Sequence, residues 1–287
     1  MNNSDFVKEV TESQICPSDF EEVYKKFTIY QNAAIDTIKE FHRVCEKNGV
    51  WYQLAYGSLL GAIRDGGQIP WDYDVDVFVD FHDREKLISA LKKDLNEDFY
   101  FYCPEVAPGC RHVIMRLAPK EYRTEAIHVD VFYLTGTPDD PKLRKAHIQK
   151  IRYYSKCRVG KLISIKEESL GNVKRFLYIV MRHKIPTFFM SLKNIQKRYE
   201  ELCSKYPMKK TKYCFQADGD RHTPIFESSL LWDTKLYRTA LGELRIPVNY
   251  ESLLEMEYGD FMRYPSLESR IKEVYHSYNR ISKITNR

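Results

Sequence analysis

The first strong pattern along the chain is a row of apolar residues spaced three or four positions apart. The row consists of Val23, Phe27, Tyr30, Ala34, Ile38, Phe41 and Cys45. This spacing places them on one face of an α-helix. Ser18 and Glu21 have the spacing of a capping box, and Asn48-Gly49 is a common helix end. The pattern therefore predicts one long packing helix that begins after Ser18 and ends near Gly49.

Beyond this helix, apolar and aromatic residues form short runs or alternate with polar residues, as they do in β-strands. Strands are predicted at residues 50–56, 73–79, 99–103, 113–117 and 127–134. A short helix is predicted at 59–64, before the turn Asp65-Gly66-Gly67, and another after Asp83, a residue type that caps helices. Helices and strands alternate irregularly, which indicates an α+β fold.

The chain divides into parts of different character within one expected domain, 1–287. We expect a core at 1–140, a basic and mostly helical insertion at 141–212, and a closing segment at 213–287. The closing segment combines loops and short strands with a predicted helix at about 250–258.

The composition is that of an ordinary soluble globular protein, with 43% hydrophobic and 30% charged residues among 287. The longest apolar run, 176–181, is far shorter than the roughly 20 residues that a membrane-spanning helix needs. The first residues lack the basic and apolar regions of a secretory signal. Seven Cys residues include no C-x-x-C pair, which argues against a zinc ribbon and favours reduced thiols. We expect a cytoplasmic protein.

The net charge of +5 conceals a strong asymmetry. Residues 142–212 carry 20 Lys and Arg against 4 Asp and Glu, a net charge of +16, whereas the rest carries 25 against 36, a net charge of −11. Such a segment is typical of surfaces that meet phosphates, nucleic acid or anionic lipid. Three interpretations stay open: a solvated helical face, contact with an anionic membrane surface to which 176–181 and 188–190 would add apolar side chains, and nucleic-acid binding, which we favour least.

Two Asp residues stand two positions apart on a predicted strand. Side chains alternate across a strand, so Val75 and Val77 face the core while Asp74 and Asp76 share the opposite face. Asp130 repeats the design between two further valines on a later strand. If the strands are neighbours, three carboxylates meet, and Mg²⁺ (or Mn²⁺) binds carboxylate and phosphate oxygens together. We predict that Asp74, Asp76 and Asp130 form a catalytic metal site suited to phosphoryl displacement.

A Gly-Ser pair precedes the acidic strand. Gly57-Ser58 follows a predicted strand, and a turn of this kind lets backbone N–H groups and a hydroxyl approach a phosphate closely. The chain resembles the nucleotidyltransferase-like superfamily of polymerase beta type in the order of its parts. That order is a strand, Gly-Ser, a helix, a strand with D-x-D and a later strand with an Asp. The resemblance implies a mixed sheet flanked by helices, here with the basic helical insertion added.

A longer motif narrows the resemblance. Residues 54–77 closely resemble the signature of the LicD family, roughly G-[ST]-L-L-G-A-x-R-x-G-x-x-I-P-W-D-x-D-x-D. Residues 245–250 and 258–265 resemble its closing motif, I-P-x-x-y followed by Y-G-D-y-m and a proline. The resemblance covers about residues 30–135 and 213–266, and the basic middle matches only in character.

The resemblance implies a Mg²⁺-dependent phosphotransferase. Bacterial LicD proteins transfer phosphocholine from CDP-choline to sugar hydroxyls of teichoic acid or lipopolysaccharide and release CMP. Relatives such as fukutin transfer ribitol phosphate from CDP-ribitol. The Golgi relatives carry an N-terminal anchor that this sequence lacks, which favours a bacterial, cytoplasmic type whose glycan acceptor is lipid-linked.

Other residues of the signature are assigned to the substrate. Gly57 and Ser58 are expected to contact the donor phosphate, with a simple tight turn as the alternative for Gly57. Arg64 would balance phosphate charge, unless it is a surface or structural residue.

Three more side chains have open roles. Trp71 would line the donor site or belong to the core. Asp72 would support the metal site or cap a loop. His128 shares the face of Asp130, where a structural role is favoured. The aromatic residues that would hold a choline head group are not identified by the sequence.

Two alternatives to phosphocholine transfer stay open. One is transfer of another phospho-alcohol, such as ribitol phosphate, from a CDP donor. The other is a true nucleotidyltransferase that attaches a nucleoside monophosphate to a small molecule, a protein or an RNA end. An inert scaffold is disfavoured, because no structural purpose requires three facing carboxylates.

Overall fold

Two helices open the chain in a computed structural model that describes residues 1–123, 125–165, 171–219 and 223–285. They are α1 (Asn3–Thr11) and α2 (Phe20–Asn48). The apolar row of α2 is buried, and Gly49 ends the helix with a left-handed φ of 61°. The predicted long helix is therefore confirmed, whereas α1 was not predicted.

The capping box predicted at the start of α2 is wrong. Asp19, not Ser18, occupies the N-cap, and its side chain makes no capping hydrogen bond. Its carboxylate instead accepts a hydrogen bond of 2.6 Å from the hydroxyl of Tyr275, a residue near the end of the chain. Asp19 thus bonds a side chain that is distant in the sequence instead of the backbone of its own helix.

Five strands and two helices follow α2. They are β1 (Tyr52–Leu54), α3 (Tyr56–Leu60), β2 (Val75–Asp80), α4 (Arg84–Asp94), β3 (Phe99–Tyr102), β4 (Met115–Pro119) and β5 (Val129–Thr137). A π-helical turn, Gly61–Asp65, extends α3. All five predicted strands of this region are present, several with shifted ends.

The basic insertion is largely helical in its described part, and residues 166–170 lie outside the described residues. It contains α5 (Pro141–Leu162), α6 (Val173–Ile179), a π-helical turn (Val180–Lys184), α7 (Ile185–Thr187) and α8 (Leu192–Cys203). Helix α6, the π-helical turn and α7 follow one another directly and form one helical stretch from 173 to 187.

The closing segment contains four strands and three helices in its described part. They are β6 (Tyr213–Gln216), β7 (Ile225–Glu227), α9 (Ser228–Trp232), β8 (Thr234–Thr239), β9 (Gly242–Pro247), α10 (Tyr250–Tyr258) and α11 (Leu267–Thr285). The helix expected at about 250–258 is α10, while α11 was not predicted.

The main sheet is mixed. Its path runs β1-β2-β5-β4-β3, with β2 and β5 parallel and the other neighbours antiparallel. The second half of β5 also pairs with β6, which pairs in turn with β7. The closing segment thus adds strands to the sheet of the core. The predicted α+β class with a helix-flanked mixed sheet is confirmed.

Hydrophobic cores pack against both faces of this sheet. Val75, Val77 and Val79 pack into the main core, which α2 and α11 help to close. Phe78, on the opposite face, is buried in a second and smaller core. Helices and loops therefore leave only part of that opposite face open, at the N-terminal end of β2, where the acidic residues lie. Within the described residues, no helix combines the length and apolar character needed to cross a membrane.

Candidate active site

The two strands predicted to carry the carboxylates, β2 and β5, are neighbours in the sheet. Asp76 on β2 and Asp130 on β5 are directly paired in the parallel ladder. Their flanking valines, among them Val75 and Val129, are at most 1% exposed. Because one side of each strand is fixed in the core, both carboxylates are forced onto the other side.

Asp72 and Asp74 complete an acidic cluster of four carboxylates with Asp76 and Asp130. Asp74 immediately precedes β2, and Asp72 and Asp74 are within hydrogen-bond reach of each other. Burial and the neighbouring charge of Asp74 raise the pKa of Asp72 well above its usual range. Burial, Asp74, Asp130 and Asp72 likewise raise the pKa of Asp76. The cluster holds more negative charge than its protein surroundings neutralise.

Asp130 differs from the other three because it has cationic or proton-donating partners. Arg116 Nε donates to Oδ1 at 2.8 Å, and His128 Nε2 lies 3.3 Å from Oδ2. Burial alone would raise the pKa of Asp130, but His128 and Arg116 outweigh it and lower the value to about 2. Asp130 is thus held ionised, whereas the raised pKa values of Asp72 and Asp76 mean that these two carboxylates bind their protons more tightly than Asp130 does.

The donor set of the cluster suits a hard divalent cation. Mg²⁺ is commonly bound by one or two carboxylates together with substrate phosphates, and Asp74 and Asp76 supply such a pair. Their mutual repulsion, visible in the raised pKa of Asp76, is what a cation would relieve. No group of three or more His, Cys, Asp or Glu side chains in the described ranges converges as a ready-made cation site.

Gly57 and Ser58 pack against the acidic cluster from α3. A Cβ atom built on Gly57 would lie 3.1 Å from Asp72 Oδ2, so the glycine permits a close approach to that carboxylate. Ser58 Oγ accepts a hydrogen bond of 2.8 Å from the backbone N–H of Asp76. The two residues lie in a helix rather than in a tight turn, and they position the acidic strand.

Tyr56, which precedes them, has a left-handed φ of 46°, unusual for a residue with a bulky side chain. Its ring packs edge-on against Phe78 and Phe132, and its hydroxyl donates to Gln216 Oε1. Such strain persists only where surrounding contacts enforce it, and it is frequent at functional sites.

The loop that leads into the acidic strand is fixed by α2. Gln31 Nε2 donates to the backbone oxygen of Asp72 at 2.6 Å, and the hydroxyl of Tyr24 donates to that of Pro70 at 2.9 Å. Both side chains are buried. The long helix therefore positions Asp72 directly, a role that its apolar periodicity did not reveal.

Arg64 and Trp71 lie together, away from the Asp130 side of the site. Arg64 contacts Asp65 at 2.8 Å, and its guanidinium lies 5.5 Å from the ring centre of Trp71 and 4.6 Å from that of Tyr264. Trp71 is 7% exposed and packs on Phe6. The two residues share the wall of a 510 Å³ cavity with Tyr258 and Asp260 of the closing motif.

A further hollow adjoins Asp130. Its volume is 310 Å³, and Arg111, His112 and Arg116 contribute basic groups to its wall. Burial and the charge of Arg116 lower the pKa of His112, which favours its neutral form. Because Arg116 also contacts Asp130, the hollow opens beside the acidic cluster.

Sequence reasoning missed Arg116 and favoured a structural role for His128. A signal for Arg116 existed: Met115 and Leu117 are core residues, and alternation places Arg116 on the face that carries Asp130 in the paired strand. Gln31 offered no such signal, because it lies within the buried face of an ordinary amphipathic helix.

Comparisons with known proteins agree with this geometry. Residues 49–159 match the family model described as LicD/FKTN/FKRP, nucleotidyltransferase domain. The chain is 25% identical over 275 residues to the lipopolysaccharide cholinephosphotransferase LicD of Haemophilus influenzae, covering 88% of this chain and 99% of that protein.

Two shorter likenesses were also found. A stretch of 40 residues is 58% identical to the ribitol 5-phosphate transferase FKRP of Homo sapiens, covering 14% of this chain and 8% of that protein. The uncharacterized protein RP689 of Rickettsia prowazekii is 34% identical over 74 residues, 25% of this chain and 28% of that protein.

The matched segment contains the whole acidic cluster, the Gly-Ser pair and Arg116. It lies on the mixed sheet that the polymerase-beta-type order of motifs predicted. Residues 49–159 therefore match the nucleotidyltransferase domain of the LicD family, and over most of its length the chain is similar to a phosphotransferase of that family.

Proposed function

We propose that the protein transfers phosphocholine from CDP-choline to a sugar hydroxyl of a cell-surface glycan precursor, in a Mg²⁺-dependent reaction that releases CMP. The observation that supports this most strongly is the full-length likeness to a lipopolysaccharide cholinephosphotransferase. The acceptor would be a lipopolysaccharide or teichoic acid precursor. Identification of the modified glycan tests this acceptor directly.

Asp74 and Asp76 would hold the metal ion, and Asp130 would complete the acidic site. Both oxygens of Asp130 already accept hydrogen bonds from Arg116 and His128, but each retains a further lone pair. When bound, Mg²⁺ supplies positive charge that neutralises the diphosphate of the donor. Mn²⁺ has the same preference for oxygen ligands and would serve as a substitute.

The protein's own groups would orient the reactants. Ser58 fixes the backbone at Asp76, and Gly57, which has no Cβ atom, lets Asp72 lie close to α3. Arg116 would direct a guanidinium edge towards the donor's phosphates while it holds Asp130 in place. Such positioning, together with charge stabilisation, is the main source of rate acceleration in phosphoryl transfer.

Arg64, Trp71 and Asp72 are proposed to support donor binding at the other end of the site. The 510 Å³ cavity that Arg64 and Trp71 share with the closing motif offers room for part of a nucleotide or its alcohol, and Asp72 would contribute from the acidic cluster. Arg64 is paired with Asp65, so it would act on a phosphate through its remaining donors.

Metal binding can be tested apart from activity. Adding MgCl₂ or MnCl₂ is expected to raise the melting temperature of the wild-type protein, because a ligand that binds only the folded state stabilises it. The Asp74→Asn/Asp76→Asn variant should show no such rise. Asp36→Asn, at an exposed carboxylate on α2, is the matched control and should respond like the wild type.

Transfer of another phospho-alcohol is the second candidate, and the likeness to a ribitol 5-phosphate transferase supports it. The mass of the product separates the candidates: phosphocholine, ribitol phosphate and CMP add different masses to the acceptor. An adduct that carries CMP would replace phospho-alcohol transfer with nucleotidyl transfer.

A further inference from the structure

Exposed apolar side chains are concentrated in one helical stretch of the basic insertion. Eight of the nineteen large apolar residues that are exposed in the described part of the chain fall within residues 173–189. This segment, the helical stretch 173–187 and the turn that follows it, is here called the exposed helix. They are Val173, Phe176, Leu177, Tyr178, Met181, Ile185, Phe188 and Phe189, with exposed fractions from 44% to 95%. A cluster of this kind marks an interaction surface.

Within the described residues, one face of the exposed helix packs against α5. Ile179 and Thr187 are buried, and His183 packs against Gly160 of α5, where a Cβ atom would lie 3.2 Å from it. Lys161 Nζ, also on α5, donates to the backbone oxygen of Thr187 at 3.0 Å. The spacing of the three inner residues is four, which corresponds to one helical face. The remaining faces point away from α5.

Positive charge accompanies these apolar side chains. Between residues 171 and 199 the sequence has seven Lys and Arg residues and no Asp or Glu. Lys174 and Arg182 lie among the exposed apolar residues and are themselves exposed. A helix that mixes exposed aromatic and aliphatic side chains with basic ones is typical of the interface of an anionic bilayer.

Charge and apolar character together favour a membrane over other partners of the exposed helix. A second copy of the chain would present the same basic surface, and like charges across an interface repel. Nucleic acid would match the charge, and its bases stack on phenylalanine rings, but it would leave Leu177, Met181 and Ile185 without an apolar environment. An anionic bilayer satisfies both features at once, because its surface attracts Lys and Arg and its acyl boundary accepts apolar side chains.

We propose that the exposed helix docks the protein on the surface of an anionic lipid bilayer. Phe188, Phe189 and Met181 enter the interface, and Lys174 and Arg182 contact the lipid phosphates. The helix lies in the plane of the membrane and does not span it.

The inner side of the exposed helix connects this surface with the active site. His183 lines a 260 Å³ cavity together with His112 and Asp218. His112 also lines the neighbouring hollow that contains Arg116, the partner of Asp130. If the proposed function holds, docking brings a lipid-linked acceptor close to the acidic cluster, but the docking itself requires no catalysis.

Vesicle co-sedimentation of the full chain tests the proposal without any activity measurement. The vesicles are phosphatidylcholine alone or phosphatidylcholine mixed with phosphatidylglycerol. We expect binding to the mixed vesicles only, a loss of about tenfold or more in Phe188→Ser/Phe189→Ser, and a loss of about fivefold per charge in Lys174→Gln/Arg182→Gln. Leu143→Ser/Leu236→Ser removes two exposed apolar side chains outside the exposed helix and should bind like the wild type.

Circular dichroism of each variant shows whether it is folded, and all four positions of the two test variants are exposed. Equal binding to both kinds of vesicle, or undiminished binding of the folded Phe188→Ser/Phe189→Ser variant, would overturn the proposal. The proposal would also be overturned if the wild-type protein bound no vesicles but self-associated, and if the Phe188→Ser/Phe189→Ser variant lost that self-association. RNA or DNA binding that depends on the basic residues but not on the phenylalanines, without vesicle binding, would also overturn it. Absence of CMP release, by contrast, would affect only the proposed function.

Discussion

Asp76 and Asp130 are paired in register on two parallel strands, and each is flanked by valines that are fixed in the core. The pairing brings like charges together on a partly enclosed face, and the pKa of Asp76 is raised as a result of burial and of this acidic company. A fold under selection for stability alone would not retain such a pair. Removal of one of these charges should therefore stabilise the fold and impair the function.

Asp76→Asn is expected to lower activity by at least about 10²-fold and to stabilise the metal-free protein by about 1 kcal/mol. The amide keeps the shape of the side chain but removes one charge from the cluster. Thermal denaturation in EDTA and CMP release in Mg²⁺ measure the two effects. Asp36→Asn should change neither. A destabilised variant with normal activity would show that Asp76 has a structural role instead.

Arg116 is expected to matter because it is the guanidinium partner of Asp130. Arg116→Gln should lower kcat/KM by about 10²-fold and destabilise the fold by about 1–2 kcal/mol, since it leaves a buried carboxylate with one fewer partner. Arg116→Lys, which keeps the charge, should recover part of the activity. The comparison of kcat/KM among the three proteins is the measurement. Equal losses in Gln and Lys variants would mean that the charge itself is unimportant.

Two glycines of the signature should respond differently to alanine. At Gly61 a Cβ atom would lie 2.7 Å from the backbone oxygen of Gly67 and 2.9 Å from the backbone nitrogen of Ile69, so Gly61→Ala should cost about 2–3 kcal/mol of stability. At Gly57 the contact is longer, 3.1 Å, and is with the side chain of Asp72, which must move by only a few tenths of an ångström. Gly57→Ala should therefore keep its melting temperature and lose about tenfold in activity.

Melting temperatures and CMP release for both alanine variants test this distinction. A Gly57→Ala protein that is as active as the wild type would remove Gly57 from the site. A Gly61→Ala protein that melts normally would contradict the close backbone packing.

Glu257 on α10 provides a test by pH. Burial raises its pKa from 4.5 to about 7, so the folded state retains a proton that the unfolded state loses. The unfolded state then binds fewer protons between those values, and stability falls as the pH rises through this window. Glu257→Gln should match the wild type at about pH 4.5 and be more stable by about 1–2 kcal/mol at about pH 8. A difference that does not vary with pH would contradict the buried carboxyl.

Much of the fold could be predicted because local patterns and tertiary packing agree there. The apolar row of α2 and the valines of β2 and β5 face the core as their spacing indicates. The N-cap of α2 could not be predicted, because Asp19 binds Tyr275 from the far end of the sequence. Helices α1 and α11 were missed in the same region, where the N-terminus meets the C-terminal helix: Glu9 pairs with Arg270 at 2.6 Å.

The site shows the same division. Alternation on two strands was enough to bring Asp74, Asp76 and Asp130 to one face. Their partners come from elsewhere in the chain: Arg116 from an antiparallel neighbour strand and Gln31 from a helix whose pattern only indicates packing. Whether the carboxylates bind metal and which residues contact the donor stay predictions.

The most direct test of the central claim is CMP release by the purified protein from CDP-choline, CDP-ribitol, CDP-glycerol and CDP-ethanolamine, with Mg²⁺ and with EDTA. We expect CMP from CDP-choline in Mg²⁺, through slow transfer to water even without the acceptor. The release should disappear in EDTA and in Asp74→Asn/Asp76→Asn, and persist in Asp36→Asn. Release of pyrophosphate from nucleoside triphosphates, with no CMP from any CDP-alcohol, would contradict phospho-alcohol transfer and establish a nucleotidyltransferase.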